Sequence, residues 1–187
     1  MSEDWKKVWE QMIGAVGQDF SNGEEKPGAD VVEKGAIRKF LEPLEFDCPL
    51  HYDREIAIQH GYSDIIAPYS SINTWSIPVL WEPGDKIFDS AEKNAQPTKS
   101  PVTALKTDLA PETTGFIVTD VEMDYIKPVM IGDHVRKVGN VLLSCEPKET
   151  KIGRGAFMVW ESKFLNQHNE ILAVTRLQTY NYEPHPH

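Results

Sequence analysis

Long apolar runs are missing from these 187 residues. Nothing approaches the ~18 consecutive apolar residues needed to cross a bilayer, so no transmembrane helix is expected. The opening, Met1-Ser2-Glu3-Asp4-Trp5-Lys6-Lys7-Val8-Trp9, has no apolar core behind its lysines and does not read as a secretory signal. Cysteine is scarce: Cys48 and Cys145 are too few for a disulfide framework and read as free thiols in a reducing cytoplasm. Positive charge is short as well. Lys and Arg number 19 against 29 Asp and Glu, a net −10. That balance argues against a nucleic-acid or anionic-membrane partner, while leaving room for a local basic patch that meets a phosphorylated small ligand. There is no internal repeat, no GxSxG elbow, no P-loop and no GxGxxG fingerprint. None of the six histidines stands at metal-ligand spacing from a Cys, Asp, Glu or second His, so no metal site is expected.

What is present is an ordinary globular composition, 40% hydrophobic and 26% charged, of a length that suits one domain over 1–187. Trp5, Val8, Trp9, Met12, Ile13 and Val16 recur at helical spacing, which predicts an amphipathic helix over about 2–17 with Ser2 as its N-cap. A polar loop is expected over 21–28, then a short helix over 34–44 with Ile37, Phe40, Leu41 and Leu44 on one face. A loop containing Pro49 leads into a short helix over about 53–60. Pro68 suits a helix start, and Ile72, Trp75, Val79 and Leu80 predict about three turns of buried helix after it. Residues of about 81–112 include Pro83, Pro97, Pro101 and Pro111 and lack periodicity, which predicts a long loop insertion, functional or mobile.

The remainder reads as sheet. Ile117, Val121, Met123 and Tyr125 alternate with polar neighbours. Lys127 to Asp133 reads as a turn, and further strands are expected over 134–145, 156–165 and 171–182. Met158, Trp160 and Phe164 would share one face, as would Ala173, Thr175, Leu177 and Thr179. Asn166-Gln167-His168-Asn169-Glu170 is a hairpin loop of turn-formers. Helices followed by strands joined by short turns make an α+β layout, an antiparallel sheet with helices against one face.

Among candidate chemical groups, His51 stands out. It follows Asp47-Cys48-Pro49-Leu50 and precedes a helix opened by Asp53, where an imidazole can exchange a proton near neutral pH. The competing reading is a surface loop histidine. Cys48 reads as a small buried thiol. Trp75, Trp81 and Trp160 fit either the lining of a ligand tunnel or core packing, and Lys127, Arg136 and Lys137 fit either the phosphates of a small ligand or a solvated basic rim.

Three stretches together resemble MaoC-type acyl dehydratases, the (R)-specific enoyl-CoA hydratases, and more narrowly their N-terminal-type domain. They are Glu45-Phe46-Asp47-Cys48-Pro49-Leu50-His51, then Gly61-Tyr62-Ser63-Asp64-Ile65-Ile66-Ala67-Pro68, then Tyr125-Ile126-Lys127-Pro128-Val129-Met130-Ile131-Gly132-Asp133. The hairpin from Asn166 to Ala173 is similar too, so the resemblance spans about 30–183.

The resemblance implies a hot-dog fold, in which an antiparallel sheet wraps a central helix. It implies hydration of a 2,3-enoyl thioester or the reverse dehydration, with acyl-CoA or another acyl thioester as substrate and no cofactor. The assembly would be a homo- or hetero-oligomer with another hot-dog chain. His51 would be the catalytic acid or base with Asp47 as partner, and Ile66, Tyr69, Ser70 and Trp75 would bind substrate. Backbone N–H groups of Tyr69 or Ser70 would meet charge on the thioester oxygen, because Pro68 has none to give. The family's catalytic members carry Asp five residues before the His, where this chain has Phe46; Asp47 is one residue out of register, and Cys48 stands in place of Asn. A non-catalytic acyl-binding subunit, whose partner supplies the Asp/His pair, is therefore the second reading. A hot-dog thioesterase is the third.

Overall fold

The structure, a computed structural model, describes residues 3–95, 97, 98 and 107–185. The expected Ser2 cap and Pro101 lie outside them. The chain passes back and forth between two compact units: residues 1–25, 107–128 and 137–187 form one, and 26–106 with 129–136 the other.

The first unit opens with a 3₁₀ helix, Glu3–Trp9, that runs into α1 (Glu10–Gly14). The continuous amphipathic helix expected over about 2–17 is thus only partly α-helical. Trp9, Met12 and Ala15, three apart, are buried, whereas Val8, Ile13 and Val16 are exposed. Gly17, at φ +91°, ends the element. Near the passage between units a short strand, β1 (Glu25–Pro27), stands where a loop is expected.

Four long strands follow: β2 (Gly115–Tyr125), β3 (Arg136–Glu149), β4 (Gly153–Leu165) and β5 (Ile171–Pro184). The sheet order is β1-β3-β4-β5-β2. β5 runs antiparallel to both β4 and β2, and β2 carries a bulge between Val118 and Asp120. The β4–β5 turn forms because Asn166 replaces missing ladder bonds: its side-chain oxygen accepts from the N–H of His168 and of Glu170, each at 3.0 Å. Asn169 takes φ +63°, a left-handed geometry that Asn tolerates. Alternation then sorts the faces. Ala156, Met158, Trp160, Ser162 and Phe164 are buried on one face of β4, with Ala173, Thr175 and Thr179 of β5 beside them. Trp160 satisfies its indole N–H on Thr179 Oγ1 at 3.3 Å and meets the ring of Phe20 edge to face at 5.5 Å.

In the second unit, α2 (Lys34–Leu41) buries Ile37 and Leu41, and a 3₁₀ turn at Glu42–Leu44 continues it through Pro43. Leu44 is exposed instead of completing that face. A 3₁₀ turn at Pro49–His51 precedes α3 (Arg54–Gln59). Asp53 caps α3, its carboxylate accepting from Glu55 N–H at 2.8 Å and Ile56 N–H at 3.2 Å. After Pro68 come a 3₁₀ turn, Tyr69–Ser71, and α4 (Ile72–Trp75). The three turns expected here shrink to these seven residues because Pro78 disfavours α geometry at Ile77. Val79 and Leu80, 49% and 36% exposed, lie beyond the helix instead of on its buried face. Gly28 passes so close to Trp75 that a Cβ would sit 1.9 Å from the Trp75 carbonyl oxygen. Residues 81–95 form neither helix nor strand; Phe88 bridges to Pro97, and the Thr98 N–H donates to the Ile87 carbonyl at 2.8 Å. No described helix is long and apolar enough to cross a membrane.

Close approach also fixes Gly155, where a Cβ would lie 2.0 Å from the backbone oxygen of Asn181 on β5. A strand backbone cannot step aside as a side-chain tip can. Gly155→Ala is expected to cost about 1–3 kcal/mol or more as overpacking. Gly14→Ala, with nothing within 4 Å of its new methyl, should be neutral or slightly stabilising. Chemical denaturation of the two variants checks the contrast; equal midpoints would contradict it.

Candidate functional site

Pro49 starts the site. It holds Cys48 in extended geometry, φ −60° and ψ 117°, and opens the 3₁₀ turn in which His51 N–H donates to the Cys48 carbonyl at 3.2 Å. The turn hands directly to α3, as the Tyr52 and Asp53 N–H groups both reach the Pro49 carbonyl. Tyr52 braces the loop from outside: its hydroxyl donates to the Phe46 carbonyl at 2.7 Å, and the Arg38 guanidinium of α2 lies 5.4 Å from its ring centre. His51 is thereby buried, at 7% exposure.

One nitrogen of that imidazole is committed. Nδ1 lies 2.7 Å from the Ile66 carbonyl oxygen. A carbonyl only accepts, so Nδ1 carries the proton and Nε2 of the neutral ring keeps its lone pair. The Ile66 N–H donates in turn to the Leu50 carbonyl at 3.3 Å, which clamps 50–51 against 66 from both sides. The Phe46 ring packs against the imidazole, centroids 5.5 Å apart and tilted by 38°. The site therefore offers one oriented basic nitrogen beside an aromatic wall.

The other sequence-predicted residues fall as follows. Asp47 is exposed and makes no hydrogen bond or ion pair with His51. Ile66 is buried, and its contribution is its carbonyl. Tyr69 is 41% exposed; burial, then the neighbouring Tyr62 hydroxyl, raise its phenol above the ordinary value. Ser70 is exposed. Trp75 donates its indole N–H to Ser71 Oγ at 2.7 Å, and Ser71 passes the chain on to the Pro68 carbonyl at 2.6 Å. With Phe40 6.5 Å from its ring, Trp75 braces α4 against α2. Trp81, exposed, bonds the Asp85 carbonyl within its own loop, and Trp160 belongs to the sheet packing. Lys127 pairs with Glu170, and Lys137 lies 5.9 Å from the Phe164 ring centre. Arg136 is half-buried at the start of β3. Cys48 and Cys145 are free, and burial pushes the Cys145 thiol up to about 11. Sequence reasoning missed Tyr52 and the bond by which Ser71 braces Trp75. Tyr52's position directly after His51 was the available signal; Ser71 had none.

Comparison with known proteins adds kinship to this geometry. A family described as "FAS1-like, dehydratase domain region" matches residues 15–175. A probable enoyl-CoA hydratase alpha subunit from Thermomonospora curvata is 25% identical over 183 residues, 97% of this chain and 53% of that protein. The chain thus spans about half the length of the curated relative it matches. Among solved structures, the ChsH1-ChsH2 complex from Mycobacterium tuberculosis superposes with a TM-score of 0.65 at 17% identity, covering 98% of this chain and 94% of that one. A MaoC-like dehydratase from Rhodospirillum rubrum gives 0.54 at 19% identity, covering 88% and 94%. These likenesses show the fold, the α+β hot-dog class that the sequence resemblance implies.

The segment that carries the Ile66 carbonyl is itself held by a carboxylate. Asp64 accepts from the Ile65 N–H at 2.7 Å and from Arg54 at 3.2 Å, and these, the N–H first, hold its carboxyl below the ordinary value. A depressed folded-state pKa stabilises the fold above the unfolded value of about 3.9 and loses that effect as pH falls through the folded one. Wild type should melt above Asp64→Asn near neutral pH, with the gap closing as pH drops below about 4. Melting curves across pH test this; a gap independent of pH would refute it.

Proposed function

This chain belongs to the FAS1-like dehydratase domain region family, and on that premise we propose that it is a hydratase/dehydratase subunit acting on 2,3-enoyl and 3-hydroxyacyl thioesters such as acyl-CoA. The observation that carries the reading is the buried, single-tautomer imidazole of His51 on a stiff loop. In the hydration direction, Nε2 takes a proton from water as the water oxygen bonds to the β-carbon. The C=C electron pair moves toward the thioester oxygen, and a proton is then delivered to the α-carbon. The dehydration is the same path reversed. Backbone N–H groups at Tyr69 and Ser70 are the proposed donors to the thioester oxygen, and Ile66 and Trp75 complete the proposed substrate contacts.

The second reading, an acyl-binding subunit whose partner supplies the reacting pair, has its own support. Phe46 occupies the position of the family's carboxylate, and the adjacent Asp47 stands exposed, without a bond to His51. The hot-dog neighbours include two-chain complexes, among them HadBC, a 3R-hydroxyacyl-ACP dehydratase of M. tuberculosis. Both readings place the working form in an assembly with another hot-dog chain.

The deciding experiment is a hydration assay over a panel of enoyl-CoAs with the chain alone and with candidate partner chains. Where activity is found, His51→Ala should lower kcat by about 10² to 10⁴, the usual worth of a general acid or base. Asp47→Asn should cost much less, and Phe46→Asp should raise activity by restoring a carboxylate at the family's spacing. Full activity of His51→Ala within the complex would assign the chemistry to the partner and this chain to binding.

The exposed segment after α4 is proposed as a lid. Trp81, Ile87 and Phe88 are each close to half exposed. Amide exchange over 81–95 should slow when an enoyl-CoA is bound. Exchange that is unchanged by ligand and already as slow as in β4 would remove the lid from the reading.

A further inference from the structure

The carbonyl that orients His51 shares a planar peptide group with the N–H of Ala67. That peptide is one of a row. The Ala67 N–H donates at 2.7 Å to the carbonyl of Val129, and this carbonyl shares its plane with the N–H of Met130. The Met130 N–H donates in turn at 2.8 Å to Oδ2 of Asp133. From the ring outward the order is His51 Nδ1–H to Ile66 C=O, Ala67 N–H to Val129 C=O, and Met130 N–H to the Asp133 carboxylate. All three bonds point the same way. The charge of the carboxylate therefore polarises both peptides in the sense that strengthens the last acceptor, the Ile66 carbonyl. Every member of the row lies in one compact unit.

Asp133 is built to hold its end. It is 5% exposed. Its own N–H donates to the Met130 carbonyl at 3.0 Å, which closes a four-residue turn. Gly132, third of the four, takes φ +89°, as a type II turn requires at that place. The outer edge of the turn is secured without the side chain: the Val32 N–H donates to the Asp133 carbonyl at 2.8 Å, and the Gly132 N–H to the Val32 carbonyl at 2.9 Å.

We propose that Asp133 is the positioning residue of His51, acting through this relay of two peptide groups. The proposal deepens the reading above, in which Nε2 of His51 moves a proton, and rests on it for its bearing on catalysis. Phe46 stands beside the imidazole where the family has a carboxylate; the relay supplies a carboxylate behind Nδ1 instead. Without Oδ2 the Met130 N–H has no acceptor and turns to find one, because a part-buried donor left unpaired is costly. A peptide group turns as a plane, so the Val129 carbonyl swings off the Ala67 N–H and the Ile66 carbonyl off the ring. The imidazole is then free to carry its proton on either nitrogen.

The test reads the tautomer directly, by nitrogen NMR of the imidazole rings in the whole chain. It is run at pH about 8.5, two units above the ordinary histidine value of about 6.5, with the His51 signals assigned by their loss in His51→Gln. In wild type the two His51 nitrogens should give widely separated shifts, protonated Nδ1 and lone-pair Nε2. Asp133→Ala should cut that separation by about half or more, as exchange between tautomers averages the two nitrogens. Asp133→Asn keeps an oxygen for the Met130 N–H and should retain the separation, but its neutral acceptor should let the Nδ1 proton exchange with solvent several-fold faster. His134 is the internal control. Its Nε2 lies 2.8 Å from the Gly28 carbonyl, outside the relay, and its shifts should not move. An unchanged separation in Asp133→Ala, an averaged one in Asp133→Asn, or averaging of His134 together with His51 overturns the proposal. If Asp133→Ala does not fold, the solvent exchange of the Nδ1 proton in Asp133→Asn decides, and an unchanged rate overturns it. Where hydration activity is found, Asp133→Ala should lower kcat about tenfold or more with KM little changed, and an unchanged kcat likewise overturns it. Absence of hydration activity in every assembly would instead defeat the functional reading and leave the tautomer result standing.

Discussion

The hydrogen bond from His51 Nδ1–H to the Ile66 carbonyl does more than orient a ring. It is one of five hydrogen bonds made by the backbone of residues 65–67, one of them the Ile65 N–H to Asp64. Ile66 uses both its N–H and its C=O toward 50–51, while Ala67 N–H donates to Val129 and the Ile65 carbonyl accepts from Ile131. Residues 65–67 thus serve as a shared short strand between the histidine loop and the 129–131 turn. Both backbone polar groups of Ile65 and of Ile66 are used, as a buried backbone requires. The tautomer of His51 follows from the hydrogen bond to Ile66 and not from a neighbouring acid, for Asp47 makes no hydrogen bond or ion pair with it.

Legibility in the sequence followed the range of the interaction. Elements specified by neighbours were readable. Asp53 ahead of Glu55 and Ile56 marks the start of α3, Asn166 and Asn169 mark the hairpin, and the alternation of Met158, Trp160 and Phe164 marks a strand. The length of the helix after Pro68 was misread because Val79 and Leu80 keep helical spacing beyond Pro78, and periodicity alone ignores the backbone limit that proline imposes. The first helix is α-helical over Glu10–Gly14 alone, so the stripe expected over about 2–17 has no continuous helix to carry it, and Val8, Ile13 and Val16 stay exposed. β1 carries no pattern of its own and exists only as a pairing.

For the site, His51 was legible as a residue type in a proline-stiffened loop, and family wording strengthened that choice. Its anchor was not. The Ile66 carbonyl is a backbone group, and no side chain advertises it. Phe46 was visible as a departure from the family's carboxylate, but its place against the imidazole is a fact of packing. Tyr69 and Ser70 stand at a 3₁₀ turn of three residues before a four-residue helix, so the aligned dipoles of a long helix are missing there and any help to an oxyanion must come from individual N–H groups.

That arrangement constrains the proton accounting. An imidazole whose Nδ1–H is held by a carbonyl has one exchangeable nitrogen. In hydration the proton removed from water and the proton delivered to the α-carbon belong to different atoms of the reacting pair. A carboxylate beside the imidazole would divide those tasks; an aromatic ring cannot accept either proton. Nε2 must then serve both positions in turn, or a second group must arrive from elsewhere. On the reading proposed above, that second group is what a partner chain would bring.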